Sequence, residues 1–342
     1  MARHDITAVI GFVAAISGVA MLAVVPWPWA ARAQRDDMPV VGFLNSQSAG
    51  ASVPYVTAFR DGLAETGYVE GRHVRIAYRW ADGDDQKVTV MASELVARRV
   101  AVIAATGSLR SAQAVQEATS TIPALFISGA DPVRMGFVAS SNRPGRNLTG
   151  VQLDTTVTVA KRLELLKELM PSGGKIAMLV SLSAAYSDRR SLLSQAEATL
   201  AESQGAIILR VRSLQNFDRD LDGELAGAVG AGVRGFVVGA DPAFTSRRGS
   251  IVALAAKHKL VAVYPLRPYV EVGGLASYGP DLIDVYRQIG MYTGQILKGA
   301  RPGDLPVVSL RKWDLVVNRK TAKSLGLDVP PWIVARANKV ID

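Results

Sequence analysis

From about residue 38 onward, short apolar runs alternate with amphipathic stretches. Met38–Leu44, Val100–Ala104 and Ala124–Ser128 are short runs that read as buried strands, and His73–Arg79 adds a strand with Ile76, Tyr78 and Trp80 alternating within or beside it. Between them, Val53–Thr66 places Val56, Phe59 and Leu63 on one helical face and stops at Gly67, and Gln86–Arg99 and Ser108–Ala118 are further helices. The rhythm restarts with a helix over Val157–Met170, whose Leu163, Leu166 and Leu169 recur on one face. Strands follow at Lys175–Val180, Ala206–Arg212, Gly235–Val238 and Leu260–Tyr264, separated by helices at Ser187–Gln204, about Phe217–Val229 and Thr245–His258. A long helix over Asp281–Lys298 and a late strand at Trp313–Val317 close the pattern. Such alternation predicts an α/β chain of two parallel, doubly wound sheets, with a seam near the turn-rich stretch Asn142–Gly150.

One tetrapeptide occurs twice, as Gly129-Ala130-Asp131-Pro132 and Gly239-Ala240-Asp241-Pro242, each directly after a predicted strand. In open α/β sheets, ligands bind outside the carboxyl ends of the strands. The repeat therefore points to two similar lobes whose strand ends line a cleft.

The first 33 residues stand apart. Arg3 and His4 precede an apolar run from Ile6 to Val25, then Pro26-Trp27-Pro28-Trp29, then Ala31-Arg32-Ala33 with small residues two apart. That is the pattern of a secretory signal cleaved before Gln34; the two prolines end the helix just before the small-residue site. The competing expectation is an uncleaved anchor, because an apolar run of about 20 residues spans a bilayer. The expected location is periplasmic.

The chain has no cysteine, which excludes disulfides, thiolate metal sites, cysteine nucleophiles and a lipid-modified cysteine. A net charge of +9 raises nucleic acid as a partner, but Lys161-Arg162 lies with Glu164, and Lys167 with Glu168, an interspersion typical of solvated helix faces. No nucleic-acid partner is expected. The three histidines, His4, His73 and His258, have no metal spacing, and neither a metal nor a cofactor is expected. The one G-x-G-x-x-G, at Gly230, Gly232 and Gly235, precedes a strand instead of following one, and reads as a helix-to-strand turn rather than a dinucleotide site. With no nucleophile–base pair in view, a binding protein is favoured over the alternative of an exported enzyme on the same scaffold.

Candidate ligand contacts follow from strand direction. Thr106-Gly107-Ser108 ends a strand and opens a helix, where hydroxyls and unpaired N–H groups hold a carboxylate, or where Ser108 simply caps the helix. Asp131 and Asp241 hold a ligand ammonium or close an Asx turn before proline. Arg267 pairs with a carboxylate, or with Glu271 at the surface. Tyr186 and Tyr278 stack on an aromatic ligand or pack as half-buried residues. Asn45 and Ser46 are polar where the first strand ends.

Several segments resemble the ABC-transporter substrate-binding proteins related to tryptophan/tyrosine receptors: AFRDGLAETGYVEG (58–71), NRPGRNLTG (142–150), AKRLELL (160–166), SYGPD (277–281) and WDLVVNRKTAKSLG (313–326). The resemblance covers about residues 38 to 342. It implies a type I periplasmic-binding-protein fold, two Rossmann-like lobes joined by three crossing strands. The implied limits are 38–152 plus 279–306 for lobe 1 and 153–278 plus 307–342 for lobe 2. It also implies a monomer that binds a small molecule, an amino acid or aromatic acid fitting best, and delivers it to a membrane permease by closing its lobes. Ligand contacts are carried to Asn45, Ser46, Thr106, Gly107, Ser108, Asp131, Asp241, Arg267 and Tyr278.

Overall fold

A computed structural model describes residues 38–342 except 154, 171, 182–187, 212–214 and 311. The predicted leader, residues 1–33, and Tyr186 lie outside the described residues.

The chain first forms β1 (Val40–Asn45), α1 (Ala49–Glu65), β2 (Arg75–Trp80), α2 (Asp85–Ala97), β3 (Val102–Thr106), α3 (Leu109–Ala118), β4 (Ala124–Ser128) and β5 (Leu148–Leu153). Next come α4 (Thr155–Leu169), β6 (Lys175–Ser181), α5 (Asp188–Ser203), β7 (Ile207–Val211), α6 (Phe217–Gly230), β8 (Val233–Val238), α7 (Pro242–Ser246), α8 (Arg248–Lys257) and β9 (Val261–Tyr264). The last elements are α9 (Arg267–Glu271), β10 (Ala276–Pro280), α10 (Leu282–Leu297), a short 3-10 turn at Pro302–Asp304, β11 (Val308–Leu310), β12 (Trp313–Asn318), α11 (Arg319–Ser324), α12 (Pro331–Arg336) and β13 (Lys339–Ile341).

Two sheets result, ordered β11-β5-β4-β3-β1-β2 and β13-β12-β10-β9-β8-β6-β7. Every neighbouring pair is parallel except β10 with β12. The fully apolar strands take the middle of each sheet: β3 is buried at every position, whereas the alternating β2 lies half-buried at an edge. Both faces of the first sheet are covered. Phe59 and Leu63 of α1 pack with Val285 and Ile289 of α10 against Val41 and Phe43; Val88 and Leu95 of α2 pack with Ala112 and Val115 of α3 against Ile103 and Phe126 on the other side. In the second sheet, Val159, Leu163 and Leu166 of α4 pack on Met178, Val237 and Val263. On its opposite face, Leu221 and Leu225 of α6 join Ile251 of α8 over Leu179 and Phe236.

Among the described residues, β5 is followed by α4 on the other sheet, β10 leads to α10 across Pro280–Leu282, and β11 of the first sheet is followed by β12 of the second. The sequence places a seam at Asn142–Gly150, but β5 begins inside that stretch and pairs with β4. Thr149 and Gly150 interrupt the apolar run and hide the strand. Gly150 is what lets it dock, because a Cβ there would overlap the Phe126 backbone. Likewise, residues from 307 onward are expected in the second lobe, yet β11 pairs with β5 on the first sheet. Helix α1 begins at Ala49, a turn before the expected Val53. Ser48 caps it by accepting from the Ala51 amide at 3.3 Å, and the helix runs through Pro54 at the loss of one backbone bond. The predicted Thr245–His258 helix is two helices, broken at Arg247. The Gly230-x-Gly232-x-x-Gly235 stretch is the turn from α6 into β8, as its order implies.

Candidate ligand-binding cleft

Strand order reverses direction between β1 and β3 in the first sheet and between β6 and β8 in the second. At such a switch point the connections leave to opposite faces, and a crevice opens at the carboxyl ends of the strands. The two crevices share one cavity. It is bordered by Gln47 after β1, Gly107 and Ser108 after β3, and Ala240, Asp241 and Pro242 after β8. Leu153 and Pro280 border it at the crossings between the sheets. Both copies of the repeated turn reach this cavity, the first through Gly129 and the second through Ala240, Asp241 and Pro242. It holds about 1100 Å³ of empty space with its open mouth included, near the upper end of the roughly 300–1,000 Å³ usual for small-molecule sites. Gln47 connects the two lips: its Nε2 donates to the Pro242 carbonyl at 3.4 Å, and the Ser246 hydroxyl donates to its Oε1 at 3.4 Å.

The first lobe contributes a helix start and an aromatic wall. Gly107 adopts φ +85, and a Cβ there would overlap Asn45 Oδ1, so only glycine leaves the chain room to turn into α3. Ser108 caps α3, its hydroxyl accepting from the Ser111 amide at 3.4 Å. Asn45 and Thr106 lie beneath the cavity. The Asn45 amide donates to Tyr286 Oη at 3.2 Å while its carbonyl accepts from the Gln47 amide at 2.7 Å, and the Thr106 hydroxyl donates to the Leu44 carbonyl at 3.1 Å. The Ser46 hydroxyl is buried without a hydrogen-bond partner, beside an adjoining depression that also takes in Asp82, Asp241 and Arg247. Tyr55 stacks on Tyr286 with ring centres 5.0 Å apart and planes at 17°, and both rings border the cavity. Burial pushes both phenols upward, so they stay neutral donors at any physiological pH.

The second lobe contributes charge. Asp241 caps α7, accepting from the Ala243 amide at 2.7 Å. Arg162 of α4 borders the cavity although it is buried, and its Nη2 stands 3.6 Å from Oε1 of the buried Glu197. Glu197 Oε2 accepts from the Ala240 amide at 3.3 Å. Desolvation pushes the Glu197 carboxyl up to about 7, outweighing the attraction of Arg162; the same desolvation lowers the Arg162 guanidinium. Arg248 borders the cavity as well.

Of the predicted contacts, Gly107, Ser108 and Asp241 border the cavity, Asn45 and Thr106 support it, and Ser46 faces the adjoining depression. Three described residues lie elsewhere. Asp131 is exposed and closes an Asx turn onto the Val133 amide at 2.8 Å. Arg267 forks onto Asp314, with two bonds of 2.7 Å, instead of the expected Glu271. Tyr278 stacks on Trp313 at 6.2 Å, over the α4 side of the second sheet. Sequence reasoning missed Tyr55, Tyr286, Arg162 and Arg248. A signal for Arg162 existed: it shares a helical face with Val159 and Leu166, where a solvated charge is out of place.

Neither histidine is placed for catalysis at the cleft. His258 Nε2 lies 2.7 Å from Asp222 at the end of α8, and His73 Nδ1 accepts from the Val69 amide. Among the described residues there is no cluster of three or more metal-ligating side chains, and no helix is long and apolar enough to cross a membrane.

The sequence from residue 42 to 341 matches the model of the ABC transporter substrate binding protein family. A protein named tyrosine-binding protein from Clostridioides difficile is 27% identical over 271 residues, 79% of this chain and 75% of that protein. A Streptococcus pneumoniae ABC domain solved in complex with L-Trp is 28% identical, with a TM-score of 0.76 over 89% of this chain and 100% of the other. A conserved domain protein from Vibrio cholerae is 26% identical, with the same TM-score over 89% of this chain and 99% of the other. A myo-inositol-bound solute-binding protein from Bacillus halodurans shares the fold at 12% identity and a TM-score of 0.53, covering 84% and 98%. The two-lobed α/β architecture is that of the type I periplasmic binding proteins. The lobes, the shared cavity at their switch points and the match along nearly the whole described chain lead to one conclusion: this protein belongs to the ABC transporter substrate-binding protein family.

Proposed function

We propose that this protein is an exported receptor that captures an aromatic amino acid, or a related aromatic acid, and delivers it to the permease of an ABC importer by closing its lobes. The observation that carries this reading is the cavity bordered from both switch points, with stacked Tyr55 and Tyr286 as an apolar platform and Ser108, Asp241 and Arg162 as polar contacts. A flat aromatic body suits the platform, since offset stacking adds roughly 0.5–1.5 kcal/mol to the burial itself. Asp241 would receive an ammonium, and the start of α3 at Ser108 would add dipole attraction for a carboxylate. The similarity to a tyrosine-binding protein and to a domain holding L-Trp supports the same ligand class.

Closure buries the ligand, excludes water and strengthens each polar contact. Export through a leader ending at Ala33 would place the receptor in the periplasm as a soluble monomer. Calorimetric titration with L-tryptophan and L-tyrosine tests the reading: one site per chain is expected, weakened about tenfold or more by Asp241→Ala, the usual cost of losing a charged hydrogen bond. Absence of binding to both amino acids and to indole-3-propionate would overturn it. Mass spectrometry of small molecules released from natively purified protein identifies the physiological ligand, and the mass of the exported chain reports whether cleavage occurs before Gln34.

A further inference from the structure

Arg162 has hydrogen-bonding capacity that the described residues do not use. Its side chain is 1% exposed and borders the cleft cavity. Nη1 reaches the Thr158 hydroxyl only at 3.4 Å, while Nε and Nη2 have no hydrogen-bond acceptor among the described residues. Glu197 is near but does not supply one: its Oε1 stands 3.6 Å away, beyond hydrogen-bond length, and its Oε2 is turned to the Ala240 amide. Arg248, in the same lobe and beside the same cavity, also has a buried Nε without an acceptor. Buried donors left unmade are costly and uncommon, and each one calls for a partner. A guanidinium offering Nε and Nη2 matches the two oxygens of a carboxylate.

The charge balance agrees. Arg162 and Arg248 are balanced by Asp241 at the cavity border and by Glu197 beside Arg162. A zwitterion keeps that balance, whereas an amine lacking the carboxylate adds an uncompensated positive charge to a desolvated space.

We propose that Arg162 is the partner of the ligand's carboxylate, so that the second lobe, through α4, reads the acid group while the first lobe provides the aromatic platform. Ser108, the residue that strand direction favours for this role, becomes a secondary contact. A carboxylate bound to Arg162 ties α4 to a ligand lying against Tyr55 and Tyr286, so the acid group itself draws the lobes together. The inference rests on the aromatic-acid reading of the cavity given above.

The test titrates three probes, L-tryptophan, tryptamine and indole-3-propionate, into the full exported chain and three variants. Wild type is expected to bind tryptamine about 100-fold more weakly than L-tryptophan, since a site built for a charged group rejects the analogue lacking it. Indole-3-propionate, which lacks the ammonium assigned to Asp241, should bind about tenfold more weakly than L-tryptophan and still about tenfold more tightly than tryptamine. In the double variant Arg162→Met with Glu197→Gln, which leaves no unpaired buried charge, the gap between acid and amine should close to within about threefold. Arg162→Lys keeps the charge but loses the fork, and should weaken L-tryptophan about tenfold. Glu197→Gln alone should keep the gap, because the guanidinium is retained. Equal affinity of wild type for L-tryptophan and tryptamine, or wild-type affinity for L-tryptophan in the folded double variant or in Arg162→Lys, would overturn the inference while sparing the receptor reading. Failure of wild type to bind any of the probes or L-tyrosine would overturn both. Should the double variant not fold, the wild-type comparison and Arg162→Lys decide the matter.

Discussion

Two adjacent cations on α4 meet opposite fates. Lys161 is exposed and pairs with Glu164 at 2.7 Å, a contact screened by water; Arg162, one position on, is buried against Glu197. A rotation of 100° per residue carries a side chain from water to core, and the cost of desolvation then changes its chemistry. Glu197 shows the consequence: its carboxyl titrates near 7 in the folded state because burial penalises the anion. Folding therefore takes up a proton between the ordinary glutamate range, about 4.3, and about 7. The stabilising contribution is fully present below the lower value and is lost as pH rises through the upper one. Arg162, Asp241 and the Ala240 amide are the groups that face this carboxyl. Thermal unfolding of wild type and Glu197→Gln at several pH values checks the sign. The melting temperature of the variant relative to wild type should rise from pH 4.5 to pH 7.5, and a relative fall over that window would contradict the burial argument.

At the scale of elements, the first lobe is set by how closely α1 and α10 cross. A Cβ at Gly62 would overlap the Arg287 carbonyl, and one at Gly290 would overlap the Phe59 carbonyl. The two glycines thus remove side chains from facing positions and let the helices meet backbone to backbone, with Phe59, Leu63, Val285 and Ile289 sealing the contact. The crossing also holds Tyr286 against Tyr55, so the packing of two helices fixes the stacked pair at the cavity. Gly62→Ala or Gly290→Ala should cost about 1–3 kcal/mol, the usual penalty of overpacking, measured by urea unfolding. Gly50→Ala, in the same α1 but with open space at its Cβ position, is the control, expected to change stability by less than about 1 kcal/mol in the stabilising direction. A loss at Gly50 as large as those at Gly62 and Gly290 would mean that the close crossing is not what penalises the added methyl, since helix propensity by itself favours alanine.

For the whole molecule, opposed lobes meet at the cleft rim through the two 3.4 Å bonds of Gln47 to Pro242 and Ser246. Hydrogen bonds this long contribute about 0.5–1 kcal/mol each at most, enough to bias, without locking, the open–closed balance proposed above. Gln47→Ala should raise the ligand-free radius of gyration measured by small-angle scattering, and weaken L-tryptophan by less than about tenfold, because closure then relies on the ligand alone. An unchanged radius of gyration would show that these contacts do not hold the lobes together.

The chain's own pattern determined the strand–helix alternation, the two sheets and the repeated turn, because burial of parallel strands demands continuous apolar runs and the turns after them demand glycine, aspartate and proline. It placed Gly107, Ser108 and Asp241 at the cleft for the same local reason: they end strands. Only the tertiary structure decided which lobe receives β11, that Arg267 is consumed by Asp314, and that Tyr55, Tyr286 and Arg162 converge on one cavity. Those outcomes depend on pairings across long stretches of chain. Local periodicity carries no record of which distant helix will supply the facing side, or of which charge will be taken out of water when the two sheets come together.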